Sequence, residues 1–367
     1  MSCRGKMPAR GYRGMRGSIE SFVMKTIAIY VTAAILIAGF FAAASELGDE
    51  RRMPDLDGAV AWINSAPSSG KALRGRVVLI NFWTYSCINS LRELPYMKAW
   101  AAKYKDSGLV VLGVHAPEFG FERDRANVRT AASDLNISYP IPIDSNHSIW
   151  NSFHNEYWPA DYFIDAKGRI RYHHFGEGEY DRSERVIQQL LRENGATGLD
   201  ETLVHISADG SEAPPGNDVR SPETYAGYAR TENFASPERM VRDSRRIYSL
   251  PAKLALNQWA LGGSWNAEDE RSTLEAAPGN VVFRFHSRDL HMVLGPAKKG
   301  PPIRFKVTLN GAAPGDDHGS DSAADGSGQL GQPRMYQLIR QKGLIRDATF
   351  EIQFLDPGVE PFSFTFG

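Results

Sequence analysis

The sequence predicts an α/β domain followed by an all-β sandwich of jelly-roll type, and three observations carry that expectation. From about residue 53 to 194, apolar strand-like runs alternate with helical stretches. Residues 195–220 turn to Gly, Pro and polar side chains in the manner of a linker. From residue 221 onward the hydrophobic period falls to two. At 367 residues the chain has room for two such cores. A hydrophobic share of 42% and a charged share of 23% are ordinary for globular chains, and a net charge of −1 carries no global signal for nucleic acid.

Ahead of the α/β domain, Arg4, Lys6, Arg10, Arg13, Arg16 and Lys25 precede an apolar stretch at 27–44 that ends in Ala42-Ala43-Ala44. A basic flank, an apolar core and small closing residues describe a secretory signal cleaved near Ala44. The stretch is also just long enough for a single membrane anchor. Both readings leave the basic flank inside and export the remainder to the periplasm or cell envelope. Met24-Lys25-Thr26 has the form of a natural start for such a signal. The expected organisation is therefore tail plus signal or anchor (1–45), α/β domain (46–194), linker (195–220) and β-sandwich (221–367).

Within the first domain, 77–83 and 109–114 are apolar runs of parallel-strand type. Between them Leu91, Leu94, Met97, Ala101 and Tyr104 share a helix face, with a bend expected at Pro95. Residues 122–135 give a second helix. Trp158-Pro159 leads into a strand at 161–165, Ala166-Lys167-Gly168 makes the turn, and 169–174 returns. A helix over 184–193 closes the unit. In the second domain Phe283/Phe285, Phe305/Val307/Leu309, Phe350/Ile352/Phe354 and Phe362/Phe364/Phe366 alternate with polar residues as half-buried strands do. The acidic, Gly/Ser-rich stretch 315–331 reads as the least ordered part.

Cys87 lies between the first strand and the first helix, and Cys3 in the basic tail is the other cysteine. Unpaired N–H groups and the helix dipole favour a thiolate at such a place. Ser90, three residues on, is either a first-turn helix residue or a hydrogen-bond donor to that thiolate. Disulfide cycling within one site needs two sulfurs, so the site keeps the nucleophile and lacks a resolving thiol. His115, His147, His154, His173 and His174 have no metal-ligand spacing; the adjacent pair would point to opposite faces of a strand. Asp321, Asp325 and Gly326 echo a calcium loop, but Ala323 breaks the pattern and no Glu closes it. The sequence calls for no cofactor.

The strand–turn–helix around Trp83-Thr84-Tyr85-Ser86-Cys87-Ile88-Asn89-Ser90 resembles the thioredoxin superfamily, whose site is Cys-x-x-Cys at a helix N-terminus. The exported reductases of that superfamily carry Cys-x-x-Cys-x-x-Glu-x-Pro. Cys87, Glu93 and Pro95 match it and Ser90 departs. The resemblance implies proton handling by Glu93, a solvated helix charge being the plainer use. Asn81 stands where cytosolic thioredoxins carry a buried Asp. Pro159 falls where the fold holds a cis proline facing the cysteine, so that Trp158 would present its backbone to a substrate peptide. Trp83 is grouped with Trp158 and Pro159 as a substrate contact. More specifically, Leu91-Arg92, Leu94-Pro95-Tyr96, Val114-His115-Ala116-Pro117-Glu118-Phe119, Pro222-Glu223-Thr224-Tyr225 and Phe354-Leu355-Asp356-Pro357-Gly358-Val359 resemble the exported portion of DipZ-type proteins. That likeness runs from about 53 to 367. It implies a thioredoxin-like domain of redoxin type and a carbohydrate-binding-module-like jelly roll. Two departures stand out: Cys-Ile-Asn-Ser for Cys-Ile-Asn-Cys, and no counterpart of the multi-span electron-conducting membrane domain.

The leading functional expectation is a cell-envelope thiol–disulfide exchange enzyme of isomerase or reductase type, working through Cys87. It would attack protein disulfides or glutathionylated thiols, with release by an external thiol or membrane electron donor. A one-cysteine peroxidase is the runner-up, since Thr84-x-x-Cys87 matches part of the peroxiredoxin signature; Ile80 stands where that signature wants proline. The third reading is a non-catalytic binding protein whose residues 221–367 hold glycan or protein. Trp259 and Trp265 would then stack on sugar rings, core packing being their alternative use.

Overall fold

A computed structural model describes Cys3, Arg4 and residues 51–367. The signal or anchor stretch at 27–44 lies outside these residues, and among the described helices none is long and apolar enough to cross a membrane. The first strand, β1 (Cys3–Arg4), pairs antiparallel with β6 (Tyr157–Trp158), Cys3 opposite Trp158.

The α/β domain is built on a six-stranded sheet of order β2-β5-β4-β3-β7-β8. Its strands are β2 (Ala61–Ile63), β3 (Val77–Trp83), β4 (Leu109–His115), β5 (Ile141–Ile143), β7 (Ala160–Ile164) and β8 (Ile170–Phe175). The central strand β3 pairs parallel with β4 and antiparallel with β7, and is buried throughout. Alternation divides its side chains: Val77, Leu79 and Trp83 join one core cluster, while Val78, Ile80 and Phe82 join another on the opposite face. Two covered faces explain the unbroken apolar run. Four helices accompany the sheet: α1 (Ile88–Lys103), α2 (Arg125–Asp134), α3 (Ser148–Ser152) and α4 (Tyr180–Glu193). Helix α1 runs on through Pro95. A separate 3-10 turn at Gly120–Arg123 precedes α2, so the helix expected over 122–135 starts later.

The C-terminal domain is a sandwich of two antiparallel sheets. One has the order β10-β11-β12-β17-β14-β15: β10 (Arg245–Tyr248), β11 (Trp259–Ala267), β12 (Ser272–His286), β14 (Ile303–Leu309), β15 (Ser327–Leu330) and β17 (Asp347–Phe354). The other has the order β16-β13-β18-β9: β9 (Thr224–Tyr225), β13 (Asp289–Pro296), β16 (Arg334–Arg340) and β18 (Val359–Phe366). Phe283, Phe285 and Phe350 of the first sheet meet Leu290, Met292, Phe364 and Phe366 of the second in one core. Trp259 and Trp265 are wholly buried there, which removes them as sugar-stacking platforms.

Two stretches are better tied down than their composition implies. In 315–331, Asp321 accepts from Arg334 (2.6 Å) and from the Gln337 N–H (2.8 Å), and β15 pairs with β14. In 195–220, Val204 N–H donates to Glu184 (2.7 Å) and Gln188 to the Glu201 carbonyl (3.2 Å), fixing one end to the α/β domain. Arg340 and Arg288 donate to the carbonyls of Gly210 (2.8 Å) and Pro214 (2.6 Å), fixing the other end to the sandwich. The domains also share a cluster: Ile88, Leu91 and Phe119 pack on Val293, Met335 and Phe362.

Candidate active site

Cys87 is the N-cap of α1, with extended backbone, and its N–H donates to the Thr84 carbonyl at 3.4 Å. The first-turn N–H groups beyond it lack helical partners and favour negative charge. Its thiol is 1% exposed and donates weakly to the Trp158 carbonyl at 3.9 Å. The Trp158–Pro159 bond is cis, as the resemblance implies, and the Trp158 indole is held by the Ala116 carbonyl at 3.0 Å. The structure thus brings Cys87, Trp158 and Pro159 together. Ser90 Oγ accepts from the Thr84 N–H at 3.5 Å, a long bond that links the first helical turn to the loop before the cysteine. Trp83 belongs elsewhere. It is buried in the core, its indole donating to the Gly113 carbonyl at 3.2 Å, so this placement makes it packing rather than substrate contact.

Glu93 is 2% exposed, which overturns the solvated-charge alternative. The Asn81 amide donates to Glu93 Oε2 (2.7 Å) and to Asp161 Oδ1 (2.9 Å). Burial raises both carboxyls. Asp161 raises Glu93 further by repulsion and by accepting its proton, whereas the hydrogen bond that Glu93 donates pulls Asp161 back down, so Glu93 is the better proton holder. Asn81 therefore does not leave the site without a buried acid: it holds two. Asp161 was missed, although a lone carboxylate inside the apolar run of β7 is the signal that marks it.

Glu122, also missed, has no comparable mark in the sequence. It is fully buried and accepts five hydrogen bonds. Oε1 takes the hydroxyls of Thr84 (2.5 Å) and Ser86 (2.6 Å) and the Ser86 N–H (3.3 Å); Oε2 takes the N–H groups of Glu118 (2.6 Å) and Phe119 (3.0 Å). Burial pushes its pKa up to about 7 against the pull of those donors. His115, whose Nε2 lies 3.5 Å from the Thr84 hydroxyl, is pushed down to about 3 by burial and is neutral. Among the described residues no metal-binding group of three or more His, Cys, Asp or Glu side chains occurs.

A cysteine capping the helix after the central strand, opposite a cis proline, defines the thioredoxin-like class of thiol–disulfide oxidoreductases. Family models agree on both halves: AhpC/TSA family over residues 51–173, and Thioredoxin like C-terminal domain over 221–367. Thiol-disulfide oxidoreductase YkuV of Bacillus subtilis is 31% identical over 38% of this chain and 95% of its own length. Protein DipZ of Mycobacterium tuberculosis is 33% identical over 86% of this chain and 42% of its own length. The chain thus spans under half of the DipZ proteins that it matches. SUPPRESSOR OF QUENCHING 1 of Arabidopsis thaliana is 32% identical over 41% of this chain and 14% of its own length. The chain therefore belongs, through its α/β domain, to the thioredoxin-like thiol–disulfide oxidoreductase family, and over both domains it is similar to part of the DipZ proteins.

Proposed function

We propose that the protein is a cell-envelope thiol–disulfide exchange enzyme, of reductase or isomerase type, with Cys87 as its one nucleophile. The observation that carries this is the placement of the Cys87 thiol at the N-cap of α1, facing the Trp158 carbonyl beside cis-Pro159. The Cys87 thiolate attacks one sulfur of a substrate disulfide, and the other sulfur leaves as a thiolate. The product is a mixed disulfide at Cys87. An outside thiolate then attacks that bond and regenerates Cys87. Ser90 cannot do this, because a hydroxyl forms no disulfide. A substrate peptide would add to the Trp158 backbone as an extended strand. The pairing of Cys3–Arg4 with Tyr157–Trp158 supports that, since it puts a cysteine residue opposite Trp158 in antiparallel register.

Ser90 and Glu93 support the site in this reading, Ser90 by tying the loop to the helix and Glu93 by holding a proton behind it. The peroxidase reading loses ground because the Thr84 hydroxyl is committed to Glu122. The location rests on the export signal at 27–44 and on the likeness to DipZ. The strand orders of the two sheets support a jelly-roll winding of the sandwich.

The test is a trap. Acid-quenched envelope fractions run without reductant should show adducts that vanish with reductant and in Cys87→Ala. Ser90→Cys should clear those adducts and reduce insulin disulfides with dithiothreitol faster than the native chain. Absence of any Cys87-dependent adduct would refute the exchange reading.

A further inference from the structure

We infer that Glu122 is a positioning residue for Cys87, and that the β-sandwich domain holds Glu122 in its working place. The inference rests on the exchange reading of Cys87 and gives the second domain a role in that chemistry. It starts from the loop 84–86, which delivers the chain to the cysteine. Three donors of that loop converge on Glu122 Oε1: two hydroxyls and the N–H of Ser86, the residue before Cys87. A buried acceptor with five donors fixes its partners closely, because each lost bond would leave a polar group dry and unpaired.

The other carboxylate oxygen is bound to the turn at 118–119, and the second domain grips that turn. Glu118 Oε1 accepts from Tyr225 OH (2.7 Å) and from Arg230 Nη1 (3.1 Å). The Gly120 N–H donates to Glu270 Oε2 at 2.8 Å. Phe119 and Phe121 lie against Phe362, with ring centres 5.3 and 4.8 Å apart. Arg230 in turn stacks on Tyr225, its guanidinium 3.6 Å from the ring centre. A continuous set of contacts therefore runs from Arg230 and Tyr225 through Glu118 and Glu122 to Ser86 and Cys87.

The charges around Glu122 make that chain electrically sensitive. The loop contributes Thr84, Ser86 and the Tyr85 phenol, which burial and Glu122 keep protonated. Strand β4 contributes neutral His115. The turn contributes Glu118, paired to Arg230, and Asp124 follows it. Among the described residues no cation pairs with Glu122, so its charge is met by dipoles alone. Its protonation state is thus felt along the loop that it binds.

The experiment is alkylation of Cys87 by iodoacetamide across a pH series, on the full chain, with thermal melts to confirm folding. Native protein is compared with Glu122→Gln, Arg230→Met, the double variant and Arg304→Ala. The last removes a surface ion pair with Asp356 that shares no residue with this network. Expected is a rate changed by about threefold or more in both single variants, with the double no worse than Glu122→Gln alone. The profile should lose a step in Glu122→Gln and have that step displaced in Arg230→Met, while Arg304→Ala overlays the native curve. An Arg230→Met profile that overlays the native one overturns the role of the second domain. If Glu122→Gln overlays as well, the positioning role falls too. Should Glu122→Gln not fold, Glu118→Gln replaces it, with the step expected to be displaced rather than lost, and a profile that overlays the native one overturning the role of the turn in positioning Glu122. A native Cys87 that does not react at any pH refutes the exchange reading itself, an outcome distinct from both.

Discussion

Three buried carboxyls, Glu93, Glu122 and Asp161, hold their protons more tightly in the folded chain than an exposed carboxyl would. A group of that kind favours the folded state while protonated, and the advantage is lost as pH rises from its unfolded to its folded value. For Glu122 the window runs from 4.5 to about 7. The loss amounts to about 3 kcal/mol over that window. Glu93 and Asp161 contribute losses of the same sign, so urea unfolding at the two ends should show a drop about 3 kcal/mol larger in the native chain than in Glu122→Gln; equal drops in the two proteins would contradict it. Residues of this sort were the hardest to read. Cys87 and Glu93 are legible because a local motif fixes their spacing, and Trp158-Pro159 because the pair leads into a strand at the place where the resemblance expects a cis proline. Glu122 acts only because a turn some thirty-five residues downstream folds back under the loop, and linear spacing carries no trace of that.

At the level of elements, the strands were most legible where one face is buried. Strands β14 and β17, whose buried and more exposed residues alternate, announce themselves by period two. Strand β18 is instead buried on both faces, and Phe362 does not share the side of Phe364 and Phe366 that the alternation implied. Strand β16 escaped notice because both its faces are largely covered, one by the sandwich core and one by the α/β domain, which erases the alternation. The same cover explains a prediction. Phe362 on β18 turns outward from the sandwich and packs on Phe119 and Phe121. Phe362→Ala should therefore cost about 3–5 kcal/mol, as truncation of a core phenylalanine does. Chemical denaturation measures it, and a cost below about 1 kcal/mol would mean that this contact is peripheral. Composition misled for 315–331 and 195–220. Gly, Ser and acidic residues set the freedom of an isolated segment, whereas backbone N–H and C=O groups captured by distant side chains decide its order in the folded chain.

Over the whole molecule, the two domains were separable in sequence but their union was not. Nothing in the periodicities shows that Ile88 and Leu91, at the very start of α1, face a second domain. The connecting segment is fastened to one domain by Glu184 and Gln188 and to the other by Arg288 and Arg340. It therefore does not act as a hinge. One consequence concerns covalent continuity, which this architecture makes dispensable once folding is complete. A single protease cut between Thr202 and Gly216 should leave two fragments that elute together, melt in one transition, and separate only in denaturant. Fragments that part on a sizing column in plain buffer would show instead that the peptide chain, and not the shared cluster around Phe362, keeps the halves in register.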